Sequence, residues 1–207
     1  MSTLPRFYAI FDVDRLVGRP VESVCGTLLD AGVRLFQYRD KRASSRQMFE
    51  GVSRLVPMIR EQGGKLIVND RADIALVAGT DGVHLGRDDL PLDFARRILG
   101  LNMMLGCSTH NLGQLRQAEM SDPDYVAFGP IFATTSKEAP DPVVGLDGLR
   151  QARQATTRPL VAIGGITMAN ARQVIESGAD CVAAITGLLN ARDLAGRTRE
   201  FLAAVES

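Results

Sequence analysis

Short apolar runs alternate with longer amphipathic stretches eight times along the chain, and this alternation constrains its fold more than any motif does. Candidate strands are 6–12, 33–39, 65–69, 82–85, 103–107, 125–129, 159–163 and 180–184. Helical patterns over 21–31, 45–62, 73–78, 92–99, 112–120, 146–155, 169–177 and 191–204 follow them in turn. The second helix shows the spacing: Met48, Val52, Leu55, Val56 and Ile59 recur at helix-face intervals and make one apolar stripe. Gly32, Gly63–Gly64, Gly79, Gly100 and Gly178 stand where helices should close, because glycine takes left-handed dihedrals at little cost. Eight strand–helix units in 207 residues, with no linker, charge block or low-complexity segment, predict a single domain over 1–207. The class is α/β and the architecture a (β/α)8 TIM barrel. A doubly wound open sheet alternates in the same way; the strand count favours the barrel. The barrel makes a demand of its own, that chemistry sit at the C-terminal ends of the strands.

Charge and composition remove several classes of function. Lys plus Arg and Asp plus Glu number 24 each, so no global field draws in nucleic acid or an anionic membrane. No apolar run approaches the roughly 18 residues that span a bilayer. The first residues carry no signal-peptide pattern. Cys25, Cys107 and Cys181 are odd in number and far apart in apolar segments, which predicts reduced core thiols and a cytoplasmic protein. No Cys/His spacing suggests zinc.

The polar residues fall where the barrel requires them. Gln37, Arg39 and Lys41 are spaced two apart at the end of the second strand, so strand geometry sends them to one side as an anion receptor. The third strand ends in Asn69, Asp70 and Arg71. The fourth carries His84 into Gly86-Arg87-Asp88-Asp89, and the fifth ends in Ser108, Thr109 and His110. Gly164–Gly165 follows the seventh strand and Ile185-Thr186-Gly187 the eighth. Those two loops form the usual phosphate site of such barrels. Thr134, Ser136 and Lys137 add donors from the long sixth-strand connection, and residues 129–145 have the length of a lid.

Asp70 and Asp89 offer hard oxygen ligands at low carboxylate density, the way Mg²⁺ is held when phosphates and water complete its shell. Each also has an ordinary reading, Asp70 as a helix N-cap and Asp89 as a loop residue before Pro91. His84 should point into the barrel, as a hydrogen-bonded core residue rather than a catalyst. No acid–His–Ser order supports a serine hydrolase.

Taken together these motifs resemble the thiamine phosphate synthase (thiamine-phosphate pyrophosphorylase) family over nearly the whole chain. The resemblance rests on Gln37-Tyr-Arg-Asp-Lys41, Val68-Asn-Asp70, Asp81-Gly-Val-His-Leu-Gly-Arg-Asp-Asp89, Gly129-Pro-Ile-Phe132, Ile163-Gly-Gly-Ile166 and Gly178-Ala-Asp180. It implies a Mg²⁺-dependent transferase that joins 4-amino-2-methyl-5-hydroxymethylpyrimidine diphosphate to 4-methyl-5-(2-hydroxyethyl)thiazole phosphate and releases pyrophosphate. It implies Asp70 and Asp89 as metal ligands. It places Gln37, Arg39, Lys41, Asn69, Ser108 and Lys137 at the pyrimidine diphosphate, with Arg39, Lys41, Ser108 and Lys137 in catalytic roles. It places Thr134, Ser136, Gly165, Ile185 and Thr186 at the thiazole phosphate. The partners are small molecules only, and the resemblance leaves room for a homo-oligomer.

Three positions depart from the family pattern: Arg87 replaces a common Gln, Ala133 a frequent Pro and Ser136 a frequent Thr. None removes a required group. A thiazole tautomerase is the nearest rival, but such relatives lose the acid pair and carry His at the position of Pro130. A non-catalytic phosphate-metabolite-binding barrel is the rival from another class.

Overall fold

Each apolar run becomes a strand of one parallel sheet. The computed structural model describes residues 4–16, 18–134 and 141–206. Its strands are β1 (Phe7–Asp12), β2 (Leu35–Arg39), β3 (Lys65–Asn69), β4 (Gly82–Leu85), β5 (Met104–Thr109), β6 (Tyr125–Phe128), β7 (Leu160–Ala162) and β8 (Cys181–Ala184). They pair in sequence order, and β1 also pairs with β8, with Phe7 opposite Val182, so the sheet closes into a barrel. Helices α1 (Val21–Asp30), α2 (Ser45–Glu61), α3 (Ala72–Ala78), α4 (Leu92–Leu99), α5 (Leu112–Glu119), α6 (Gly145–Ala155) and α7 (Met168–Glu176) connect successive strands. A short helix α8 (Thr186–Leu189) and the long α9 (Leu194–Glu206) follow β8.

Strand periodicity sorts the core into two layers. Phe7, Ala9 and Phe11 of β1 and Phe36 of β2 join the cluster packed under the helices. Their alternates Tyr8, Ile10 and Leu35 fill the barrel with Ile67, Tyr125, Ala127, Val161, Cys181 and Ala183. Stacked ring pairs, Phe11 on Phe36 at 5.4 Å and Phe7 on Phe201 of α9 at 5.0 Å, fasten β1 to β2 and to the last helix. Inside, Tyr125 fills the space that Gly106 leaves: a Cβ at 106 would sit 2.0 Å from the tyrosine ring. The three cysteines are free and buried.

The helix boundaries follow local chemistry. Ser44 and Gln47 form a reciprocal capping box at the start of α2, with Gln47 Oε1 accepting from Ser44 N at 2.9 Å. The pattern over 191–204 predicted one helix, yet α9 begins only at Leu194. Asp193 accepts from Gly196 N at 2.8 Å and acts as its cap. Strand β5 runs two residues beyond its predicted end, which puts Ser108 on the strand itself.

Candidate active site

The alternation that buries Tyr8 and Leu35 inside the barrel also sets which polar side chains line its upper end. Gln37 and Arg39 are the inward positions of β2, Asn69 of β3, His84 of β4 and Ser108 of β5. Val83 and Leu85 face the helices, as the pattern required. All five polar residues line one cavity of about 130 Å³ at the C-terminal end of the barrel. Its opposite wall comes from Thr134, Gly164, Gly165, Ile185 and Thr186, and its sides from Ile10, Ala127, Val161 and Ile163. Ser136 and Lys137 lie outside the described residues, as do 135 and 138–140 of the 129–145 connection.

Arg39 is anchored from the neighbouring strand. Its guanidinium lies 2.6 Å from Asp12 Oδ2, and the two residues are register partners in the β1–β2 ladder. Asp12 is almost wholly buried. Burial pushes its carboxyl above the usual range, and the Arg39 charge opposes that only in part. Lys41 stands beyond the strand end, half-exposed, and pairs with Asp70. The three donors of the second strand are thus separated by depth: Gln37 lies inside the barrel, Arg39 at its rim and Lys41 above it.

Asp70 holds a backbone φ of +66°, a left-handed conformation that aspartate tolerates better than most residues. Its own N–H donates to His84 O at 2.8 Å. The N-cap position of α3 is Arg71, so the capping role considered for Asp70 is not the one it plays. Asp89 accepts from Gly86 N at 2.7 Å. Burial raises its carboxyl first, and hydrogen-bonding contact with the Asp70 side chain raises it further. Two carboxylates pressed together, with one lysine for compensation, form a donor set that fits Mg²⁺ completed by phosphate and water. No cluster of three or more His, Cys, Asp or Glu side chains suited to a metal exists among the described residues. Arg87 lies exposed, 3.5 Å from the exposed Asp88.

The glycines after β7 have a packing reason beside the one read from sequence. Gly164 and Gly165 take φ of +97° and +64°, and a Cβ at Gly165 would lie 2.5 Å from Ala133 O. The β6 connection therefore lies directly on the β7 turn, where Ile131 N and Phe132 N donate to Ile163 O and Gly164 O at 2.9 and 3.0 Å. Gly187 brings the β8 turn as close to Ile166, with a Cβ at 187 falling 2.5 Å from Ile166 O. His110 fastens the ends of the β6 connection: Nδ1 donates to Gly129 O at 2.6 Å, and Nε2 lies 3.3 Å from Asp141 Oδ2.

A buried chain of hydrogen bonds runs beneath the cavity. Gln37 Nε2 donates to Tyr8 Oη at 3.0 Å, and Tyr8 Oη meets Tyr125 Oη at 3.1 Å. Tyr125 Oη meets His84 Nδ1 at 3.0 Å, and His84 Nε2 meets Ser108 Oγ at 2.9 Å. Sequence reasoning placed His84 inward but passed over Tyr8, Tyr125, Asp12 and the His110–Asp141 pair. For Tyr8 and Asp12 the signal was present. Once Phe7, Ala9 and Phe11 are assigned to the helix side, their alternates must face the site.

A family model described as thiamine monophosphate synthase matches residues 7–188 of the chain. A thiamine-phosphate synthase of Koribacter versatilis is 47% identical over 99% of this chain and 97% of its own length. One from Chloroflexus aurantiacus is 44% identical, covering 97% of this chain and 92% of its own. Among solved structures, thiamine phosphate pyrophosphorylase from Pyrococcus furiosus superposes with a TM-score of 0.88 at 36% identity, over 98% of this chain and 96% of that one.

Proposed function

Because this chain belongs to the thiamine monophosphate synthase family, we propose that it joins 4-amino-2-methyl-5-hydroxymethylpyrimidine diphosphate to 4-methyl-5-(2-hydroxyethyl)thiazole phosphate, forming thiamine phosphate and pyrophosphate. The observation that carries the proposal is the polarity of the cavity. One wall carries Gln37, Arg39 and Asn69 beside the Lys41–Asp70–Asp89 group, and the other is built from the loops after β6, β7 and β8. Two anionic substrates can enter such a site from opposite walls and meet over its apolar floor.

On this reading the diphosphate sits among Arg39, Lys41, Ser108 and Lys137, with Asn69 beside it. Arg39 is held to one place by Asp12, so its charge needs no reorganisation when the leaving group develops negative charge. Asp70 and Asp89 would hold Mg²⁺, which supplies further charge neutralisation for the departing diphosphate. The C–O bond breaks first, and the aminopyrimidine ring delocalises the cation that remains. Gln37, the deepest of the donors, addresses that ring. Thr134, Ser136, Gly165, Ile185 and Thr186 hold the thiazole phosphate so that its ring nitrogen, already nucleophilic, faces the cationic carbon. No protein base is needed, which accords with a site built of donors and anchored charges. Ile131 and Phe132, bonded to the β7 turn, cover that side of the cavity and keep water from the cation.

Expression of the chain in a bacterium that lacks its own thiamine phosphate synthase tests the proposal. Growth without added thiamine is the expected result. Failure to grow with the folded protein present contradicts it.

A further inference from the structure

We propose that the buried chain Gln37–Tyr8–Tyr125–His84–Ser108 is a specificity device: an anion held by Ser108 fixes the direction of its hydrogen bonds, so that Gln37 presents an acceptor and selects a ring bearing an amino group over one bearing a carbonyl. The inference rests on the preceding assignment of Ser108 to the diphosphate and of Gln37 to the ring.

Proton counts set the direction of the chain. Each hydroxyl in the chain has one proton to give, and a neutral imidazole has one N–H and one lone pair. A diphosphate oxygen only accepts, so Ser108 must direct its proton to it. Ser108 Oγ then accepts from His84 Nε2, at 2.9 Å. This leaves His84 Nδ1 as a lone pair, filled by the Tyr125 hydroxyl at 3.0 Å. Tyr125 Oη in turn accepts from Tyr8 at 3.1 Å, and Tyr8 Oη accepts from Gln37 Nε2 at 3.0 Å. One of the two amide N–H groups is thereby committed to Tyr8, which fixes the orientation of the amide, and Oε1 is the acceptor that Gln37 offers the substrate. An exocyclic amino group donates to it. A carbonyl at the same ring position opposes it and is accommodated only if the amide turns over, which reverses every bond down to Ser108 and sets a lone pair against the anion.

Two features suit the chain to this task. Tyr125 is fully buried and does not line the cavity, so its hydroxyl acts on a ligand only through its neighbours. Burial pushes both phenols upward, which keeps each one a donor as well as an acceptor.

Tyr125→Phe removes the central link and leaves the cavity wall and the ring packed on Gly106 in place. The probes are two unreactive monophosphates, 4-amino-2-methyl-5-hydroxymethylpyrimidine phosphate and its 4-oxo counterpart, with affinities measured by calorimetry on the full chain. The unaltered protein should favour the amino compound by about a hundredfold, and Tyr125→Phe should reduce that preference about tenfold. If Tyr125→Phe does not fold, Tyr8→Phe carries the same comparison. A preference left unchanged by the substitution overturns the inference, as does its absence in the unaltered protein. Thiamine phosphate formation by the unaltered protein is followed in parallel. Turnover with an unchanged preference removes only the directional chain, whereas loss of both turnover and binding removes the functional reading and the inference with it.

Discussion

Asp12 and Arg39 are partners twice over: they face each other in the β1–β2 ladder, and the Arg39 guanidinium closes on Asp12 Oδ2 at 2.6 Å. The arginine side chain is 19% exposed and the aspartate 3%, so the charge at the cavity rim is fixed by a buried counter-ion on the neighbouring strand. Asp12→Asn keeps the shape and removes the anchor. The substitution should lower kcat/KM for the pyrimidine diphosphate by about tenfold to a hundredfold and leave KM for the thiazole phosphate nearly unchanged. Steady-state kinetics with each substrate varied in turn checks this.

The same aspartate predicts a pH dependence of stability. Its folded carboxyl is raised above the ordinary 3.8, chiefly by burial. Stabilisation from such a group is fully present below the unfolded value and is lost as pH rises through the folded one. The unfolding free energy of the unaltered protein, measured against Asp12→Asn by urea denaturation, should therefore fall as pH rises above the ordinary carboxylate value of 3.8. A difference that grows as pH rises reverses the sign assigned to Asp12.

Asp70 is best tested with asparagine. At a φ of +66°, Asn keeps the backbone tolerance that Ala lacks, so loss of charge is separated from backbone strain. Asp70→Asn should lower magnesium-dependent turnover by about a hundredfold or more while shifting Tm by no more than about 3 °C. Near-normal activity refutes the metal role.

Thr134 stands on the wall opposite Arg39. Thr134→Ala should raise KM for the thiazole phosphate by roughly tenfold, the cost of one hydrogen bond to an anion. An effect confined to the pyrimidine substrate interchanges the two walls.

Gly165→Ala joins a strained φ of +64° to a Cβ placed 2.5 Å from Ala133 O. It should cost about 2 kcal/mol or more of stability. It should also weaken the thiazole substrate by pushing the β6 connection off the β7 turn. Chemical denaturation together with the thiazole KM reads both effects.

Much of this was legible in the sequence because strand and helix periodicities are local. The eight runs, the inward direction of His84 and the strand-end clusters at Gln37 and Asn69 all follow from spacing along one element. What was not legible depends on neighbours distant in sequence. Asp12 becomes an anchor only when β2 lies beside β1, and Tyr8 meets Tyr125 across 117 residues. The depth ordering of Gln37, Arg39 and Lys41 was hidden for a related reason: β2 ends at Arg39, and Lys41 leaves the strand's alternation to pair with Asp70. The start of α9 at Leu194 rather than at 191 was a local signal, in Asp193, that the apolar pattern obscured.

The central claim is that opposite walls of one cavity bring together a pyrimidine diphosphate and a thiazole phosphate. Its most direct test is the stoichiometry of turnover with the purified chain, both substrates and Mg²⁺. Thiamine phosphate and pyrophosphate should form in equal amounts, and neither should form at a comparable rate when the thiazole phosphate or the metal is omitted. Pyrophosphate released at full rate without the thiazole, or no product from well-folded protein, contradicts the account.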